Sequence, residues 1–322
     1  MPAGNPYSSF DSRDLVADFD LAMSQASNEA LWAARISTEI ASNREVEEMA
    51  WLGQVPVMRR WIGGRKETTL NKYSLTVRNY PYEATLPISI DDLRRDKVGV
   101  IRKRISDLGT RTVTHWNTLV GNWVTNGEAG TNALAYDGQF FFDTDHNESG
   151  TSQSNDLTAT EVPSANVSTT STLTTTEAAG IITETIAYMM SLTDDQGEPI
   201  NQSPTEVLIL TTKVGHYNGI KTALGVNNLG TGSGNNNPLL AWSNYTINVQ
   251  YVPTRITAAD KLYFFFGGNG MGGSPLIRTV EQDVAVRIKD ETFENRRQLF
   301  GVDAIRGLAY GAWQRAALVT LS

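Results

Sequence analysis

Asp143, Asp145, His146 and Glu148 bring three carboxylates and an imidazole within six residues, and hard oxygen donors at alternate positions are what a calcium loop requires. An EF-hand loop opening on Asp143 needs glycine at its sixth position and glutamate at its twelfth, where this chain has Glu148 and Ser154. An acidic surface turn is the better reading, and a metal-dependent enzyme centred on Asp143, Asp145 and His146 is the weakest of the functional alternatives. His115, His146 and His216 are scattered, with none at the H-E-x-x-H spacing of a zinc site. Gly268 to Gly273 spell G-x-G-x-x-G after a strand-like run, but Ser274-Pro275 and more strand-like sequence follow. No helix N-terminus is offered to a pyrophosphate. No nucleophile elbow or phosphate loop occurs, and the absence of cysteine excludes thiolate ligands and nucleophiles. The residues therefore predict no catalytic, cofactor or metal site, and no enzyme.

The remaining chemistry is charge. Arg94, Arg95, Lys97, Arg102, Lys103, Arg104 and Arg111 form a basic cluster that suits nucleic-acid phosphate, a subunit contact or a solvated helix face. The net charge of −8 argues against a free-standing nucleic-acid binder. Its distribution is uneven: residues 1–57 carry three basic and nine acidic side chains, residues 58–104 twelve and five, and the rest twelve and twenty-one. A basic arm on an acidic body can dock on a second copy of itself.

The elements that must position these groups follow from periodicity. Apolar spacings predict helix over residues 11–52, ended by Gly53 and Pro56. "KYSLTVRNYPYEATLPIS", Lys72 to Ser89, alternates apolar and polar residues and reads as two short strands, a hairpin with too little apolar face to be stable alone. A long helix is expected from an Asp91 cap to Asn126-Gly127, its seam running through Ile101, Ile105, Leu108, Thr112, Trp116, Leu119 and Trp123. The glycines within it, Gly99, Gly109 and Gly121, suggest close packing or bending. Between Asn147 and Glu177, 15 of 31 residues are Ser or Thr, which reads as surface loop. A helix over about 177–192, a buried strand "TEVLILT", a short helix over about 213–224 and the glycine- and asparagine-rich loop "GVNNLGTGSGNNNP" come next. The remainder is strand-rich, and the class is α+β. No run reaches the length of a membrane span, so no membrane is expected. The N-terminus lacks the basic start and apolar stretch of a secretory signal, so maturation in cytoplasm is expected.

Three stretches resemble one family. "MRRWIGGRKETTLNKYSLTVRNYPYEATLPISIDDLRRDKVG", "YDGQFFFDTDH" and "FGVDAIRGLAYGAWQRA" are similar to segments of the HK97-type major capsid proteins of tailed bacteriophages, and more narrowly of the Mu-like major head subunit. Phe140 stands where that family often has proline, and the Ser/Thr-rich segment has no match in it. The resemblance implies an N-terminal arm with helix at 1–53, an extended β-hairpin loop at 54–90 and the spine helix of a peripheral domain at 91–135. It further implies an axial domain at 136–273 and a β-rich return to the peripheral domain at 274–322. The function implied is self-assembly, as hexamers and pentamers, into the icosahedral shell around the double-stranded DNA of a tailed phage. An encapsulin-like nanocompartment shell is the alternative.

By the same resemblance the extended loop lies across a neighbouring subunit. Trp61, Tyr73, Leu75, Val77, Tyr80, Tyr82 and Leu86 would supply apolar adhesion, and Arg59, Arg60, Arg65, Lys66, Lys72 and Arg78 would set registry. Arg94, Arg95, Arg102, Lys103 and Arg104 would face packaged DNA or a subunit. Scaffold and portal proteins during assembly, a virion location and assembly in host cytoplasm complete the expectation, and the binding of a decoration protein is left open. Neither a Lys–Asn cross-link nor removal of an N-terminal segment is expected.

Overall fold

A computed structural model of the chain describes residues 12–29, 31–52, 72–89, 91–92, 98–130, 133–148, 150–202, 204–229, 236–242, 245–252, 260–267, 273–291 and 295–322. Two five-stranded sheets carry the fold. In the first, the order is β1 (Ser37–Ala41), β10 (Leu276–Glu291), β11 (Arg297–Tyr310), β3 (Lys72–Ser89) and β2 (Val46–Leu52). β1 runs parallel to β10 and the other pairs are antiparallel. The second has the order β6 (Asp156–Leu157), β12 (Ala316–Thr320), β9 (Lys261–Phe266), β7 (Glu206–Thr211) and β8 (Thr246–Tyr251). A short hairpin joins β4 (His146–Glu148) to β5 (Thr151–Gln153). The segment from residue 274 onward serves both sheets, because β12 crosses back to lie between β6 and β9.

The helix expected over residues 11–52 is confined to α1 (Ser12–Glu29). Beyond it a single 3-10 turn, Trp32–Arg35, leads into β1 and β2. The edge of β10 decides this: β1 adds to it in parallel, and the Ser42 amide donates to the Val280 carbonyl at 2.9 Å. Strand pairing outweighs a helical apolar spacing.

The two strands expected in Lys72–Ser89 are one strand of 18 residues. Its first half pairs with β2 and its second with β11. The alternation holds, but its phase changes. Leu75, Val77 and Asn79 are buried in the first half, Ile88 in the second, with Tyr82, Ala84 and Leu86 half-buried on that same face. The strand thus buries one face beside Ile277 and Ala309, then the opposite face against the helices.

The long helix, α2, is described from Val98 to Asn126 and is about 43 Å long at roughly 1.5 Å per residue. Ile101 and Ile105 pack with Leu15 and Phe19 of α1 and with Phe300 and Val302 of β11. Further along, Trp116, Val120 and Val124 enter a second core with Phe141, Tyr263, Leu276, Tyr310 and Trp313, which joins the two sheets. The buried line runs through Val120 and Val124, with Leu119 and Trp123 of the expected seam at its margin. Close packing is found at Gly109, where a Cβ would lie 2.7 Å from the Phe19 carbonyl oxygen. At Gly99 a Cβ would meet nothing within 4 Å.

The Ser/Thr-rich stretch is a packed strap rather than a loose loop. Leu157, Val162, Ala165, Val167 and Leu173 are buried against α3 (Thr175–Ser191) and the second sheet. Its hydroxyls serve the backbone: Thr174 and Glu177 form a reciprocal capping box at the start of α3, and Ser164 donates to Glu184 at 2.8 Å. Glycines admit the strap to α4 (Val214–Gly225), since a Cβ on Gly219 would lie 2.4 Å from the Leu173 carbonyl oxygen. The stem of the asparagine-rich loop also packs, with the buried Asn237 amide donating to the carbonyls of Ala223 and Val226. No helix among the described residues is long and apolar enough to cross a membrane.

Candidate functional site

β2 and β3 form the base of a hairpin rooted in the first sheet. Asn79 fixes the root. Its amide donates to Ser42 Oγ at 2.9 Å and the Arg44 carbonyl at 2.7 Å, and its Oδ1 accepts from Thr279 at 2.6 Å. Gly307 opposite has no room for a Cβ, which would lie 2.5 Å from Asn79 Oδ1. One buried polar residue therefore ties β3 to the β1–β2 turn and to β10, a fully satisfied arrangement that sets the direction of the hairpin.

Beside this root, between α2 and the sheet, lies a groove of about 670 Å³, lined by Leu119 and Trp123 of the helix and by Thr76, Arg78, Tyr80, Arg306 and Leu308 of the sheet. Tyr80 is 46% exposed and Leu134, at the rim, 50%. Arg78 pairs with Glu45 at 2.9 Å and its guanidinium lies 5.5 Å from the Tyr80 ring centroid.

The floor of the sheet carries two buried arginines that the sequence reading missed. Arg278 and Arg306 place their guanidinium carbons 5.0 Å and 4.8 Å from the centroid of Trp116. Arg278 donates to Ser37 Oγ and Glu39, each at 2.8 Å, which locks β1 to β10. Arg306 donates to the Thr112 carbonyl at 3.0 Å and to His115 Nδ1 at 3.2 Å. Burial, and then the Arg306 charge, draws the His115 pKa below the ordinary histidine value. Burial raises that of Tyr82, whose ring meets His115 at 4.6 Å. The available signal was an arginine on the inward phase of an apolar strand, in "LIRTV" and "DAIRGLAY".

The residues expected to find apolar cover on a neighbour divide into groups. Leu75 and Val77 are covered by their own chain, packed with Ile277, Ala309 and Met49, so for these two the expectation is corrected. Cross-strand neighbours in the same sheet supply what an isolated hairpin lacks. Tyr73 packs against Tyr136 at 5.2 Å, Tyr82 and Leu86 are half-buried, and Tyr80 and Arg78 face solvent. Arg59, Arg60, Trp61, Arg65, Lys66, Arg94 and Arg95 lie outside the described residues, as does the side chain of Lys72. In the basic cluster Arg102 is engaged by α1, 3.4 Å from Asp14 and 3.5 Å from Asp18, while Lys103 and Arg104 are exposed.

The acidic turn serves the core. His146 is buried, with Nδ1 2.6 Å from Asp137 and its ring stacked on Trp313. Asp143 accepts from the amides of Phe140 and Thr144, and its own amide donates to Asn155. Asn155 in turn donates to the carbonyls of Phe141 and Trp313. Gln314 reaches the Tyr136 hydroxyl at 2.8 Å. Two stretches far apart in sequence, 136–146 and 313–315, thus form one interlocked junction between the sheets.

A first helix packed on a long helix laid along a five-stranded sheet, the base of a hairpin in that sheet and a second mixed sheet completed by the last strand define an HK97-type capsid fold. The chain shares that fold with the capsid of Ralstonia phage GP4, at a TM-score of 0.54 and 10% sequence identity over 91% of this chain and 89% of that one. Residues 13–178, just over half of the chain, match the family of the Mu-like prophage major head subunit gpT, and the chain belongs to that family. It is 35% identical over 122 residues to the Mu-like prophage FluMu major head subunit of Haemophilus influenzae, covering 37% of this chain and 39% of that one. To the major capsid protein of Escherichia phage Mu it is 26% identical over 112 residues, covering 35% of this chain and 36% of that one. The matched stretches thus span well under half the length of either relative.

Proposed function

We propose that the chain is the shell-forming major capsid subunit of a Mu-like phage or prophage, a structural protein that closes into an icosahedral head of hexamers and pentamers around double-stranded DNA. The observation that carries this reading is membership of the Mu-like head-subunit family on a fold shared nearly end to end with a phage capsid subunit. The geometry agrees: a hairpin with a rigid root and an open groove beside it are parts that a neighbouring copy can complete.

In this reading the segment 53–71, with Arg59, Arg60, Trp61, Arg65 and Lys66, reaches a neighbour, joined by Arg78, Tyr80, Tyr82 and Leu86 at the hairpin base and along β3. Exposed ion pairs are worth only about 0–1 kcal/mol each, so their role is registry while apolar contacts hold. Lys103 and Arg104, with Arg94 and Arg95, meet packaged DNA by non-specific phosphate contact. Scaffold and portal proteins act during assembly in host cytoplasm, and the virion is the final location.

Electron microscopy of the purified chain tests the reading. Closed shells are expected, and replacing residues 54–70 with a short Gly-Ser turn, which preserves the β2–β3 ladder, should leave a folded subunit that forms none. A wild-type chain that stays monomeric at every concentration, or normal shells from the shortened variant, would overturn it.

A further inference from the structure

Midway along α2, the imidazole of His115 hydrogen-bonds the helix to the first sheet. Arg306 Nη1 is always a donor, so at 3.2 Å His115 Nδ1 must accept, which fixes the neutral imidazole with its proton on Nε2. The same Nη1 donates to the Thr112 carbonyl one turn earlier, and the guanidinium rests over Trp116 one residue later. On the other flank the Tyr82 ring of β3 meets the imidazole at 4.6 Å. One imidazole therefore joins α2 to both β3 and β11, at the point where the helix leaves its core with α1 and enters the core shared by the two sheets.

We propose that His115 is a proton-operated latch: neutral, it accepts from Arg306 and clamps the middle of α2 onto the sheet; protonated, it cannot accept, and the clamp opens. Protonation would set an imidazolium 3.2 Å from a guanidinium that is itself buried and cannot withdraw from the Trp116 face without losing its other contacts. Because β3 continues directly into the hairpin, release of α2 frees the sheet carrying the hairpin to turn relative to the helix. This inference does not depend on the shell role.

The charged surroundings favour the closed state near neutrality. Arg111 of α2, Tyr82 and Glu83 of β3, and Asp303 and Arg306 of β11 line the small cavity of about 250 Å³ around the imidazole. The two carboxylates are engaged elsewhere, Asp303 by Gln282 and Arg287 and Glu83 by Thr85, so they offer the imidazolium little. Behind Arg306, Asp283, Glu39 and Arg278 act on that guanidinium rather than on the ring. Burial and Arg306 both hold His115 neutral to a lower pH than a free histidine.

Histidine C2-hydrogen exchange read by mass spectrometry on the full chain, together with backbone amide exchange, tests the latch in whatever assembly state the protein takes. The expected result is a His115 midpoint below 6.5, with exchange of the Thr112–Trp123 and Tyr80–Leu86 amides, corrected for intrinsic rate, rising as pH falls through that midpoint. Each unit of depression corresponds to roughly tenfold in the opening equilibrium. His115→Gln, whose side-chain oxygen still accepts from Arg306, should abolish the rise; His115→Lys should show it at neutral pH. A His115 midpoint at or above 6.5, amide exchange that does not follow it in the wild type, or an unchanged acid profile in His115→Gln overturns the proposal. The wild-type pair of measurements decides even if neither variant folds.

Discussion

The imidazole of His146 lies flat on the indole of Trp313, ring centroids 4.0 Å apart and planes within 4° of parallel. The pair closes the junction at which the end of the chain locks into the segment that follows α2. Trp313→Ala would open a cavity in the core joining the two sheets and remove the cover from a buried imidazole; the cost expected is about 3–5 kcal/mol. Trp313→Phe keeps an aromatic face, and the indole Nε1 makes no hydrogen bond among the described residues, so less than half of that loss is expected. Urea unfolding of both variants gives the comparison, and equal losses would show that the stack contributes nothing.

Two glycines of α2 predict opposite signs. Gly99 has open space where a Cβ would go, so Gly99→Ala should stabilise the helix by up to about 1 kcal/mol. At Gly109 the Phe19 carbonyl oxygen would be 2.7 Å from a Cβ and the Ala22 Cβ 3.3 Å, so Gly109→Ala must push α1 away despite the gain in helix propensity. A loss of about 1–3 kcal/mol is expected, with faster proteolysis within α1. Thermal melts of the two variants should move in opposite directions.

These two positions show why part of the fold was legible and part was not. Period and apolar runs located α3, β7 and α4 to within a residue or two, because an apolar stripe on a helix or a continuous apolar run in a strand marks burial within its own segment. What failed was long-range. Nothing within residues 37–52 announces that β10 and β3 wait to pair with them, so an apolar spacing read as helix became β1 and β2. Ser164, Ser168 and Thr174 looked like loop by composition, yet their hydroxyls serve carboxylates on α3. Leu75 and Val77 were rightly read as needing cover, but Ile277 and Ala309, some two hundred residues away, provide it. Asn79, Arg278 and Arg306 escaped notice because a buried polar residue has meaning only once its partners are placed.

Glu177 gives a pH dependence with a defined sign. Partial burial alone would raise its pKa, but the amides and hydroxyls of Ser168 and Thr174 donate to it and hold it down at about 2. A folded-state value below the ordinary 4.5 means that the unfolded chain takes up the proton first. The stabilisation is therefore complete above pH 4.5 and is lost as the pH falls toward 2. Glu177→Gln keeps the reciprocal cap without the charge, so its stability should fall less steeply over that interval. Acid titration of the unfolding midpoint for both proteins measures the slope, and identical slopes would remove Glu177 from the account.

The last prediction concerns the outer edge of β3. The Asn79 amide donates to the Glu45 carbonyl, on the side away from β11, so amides of odd-numbered residues in this strand point outward. Pro81 and Pro87 share that parity, and β2 stops pairing at Arg78. Two outward donors are thus missing where, among the described residues, no strand covers the edge, a known way of blunting an edge against stray pairing. Replacing both with valine restores the donors and raises β-propensity while leaving the β11 ladder intact. The double variant should keep its unfolding free energy within about 0.5 kcal/mol, as a surface change does, yet show concentration-dependent light scattering well below the concentration at which wild type scatters. Unchanged scattering would mean that the prolines shape the strand and do not guard its edge.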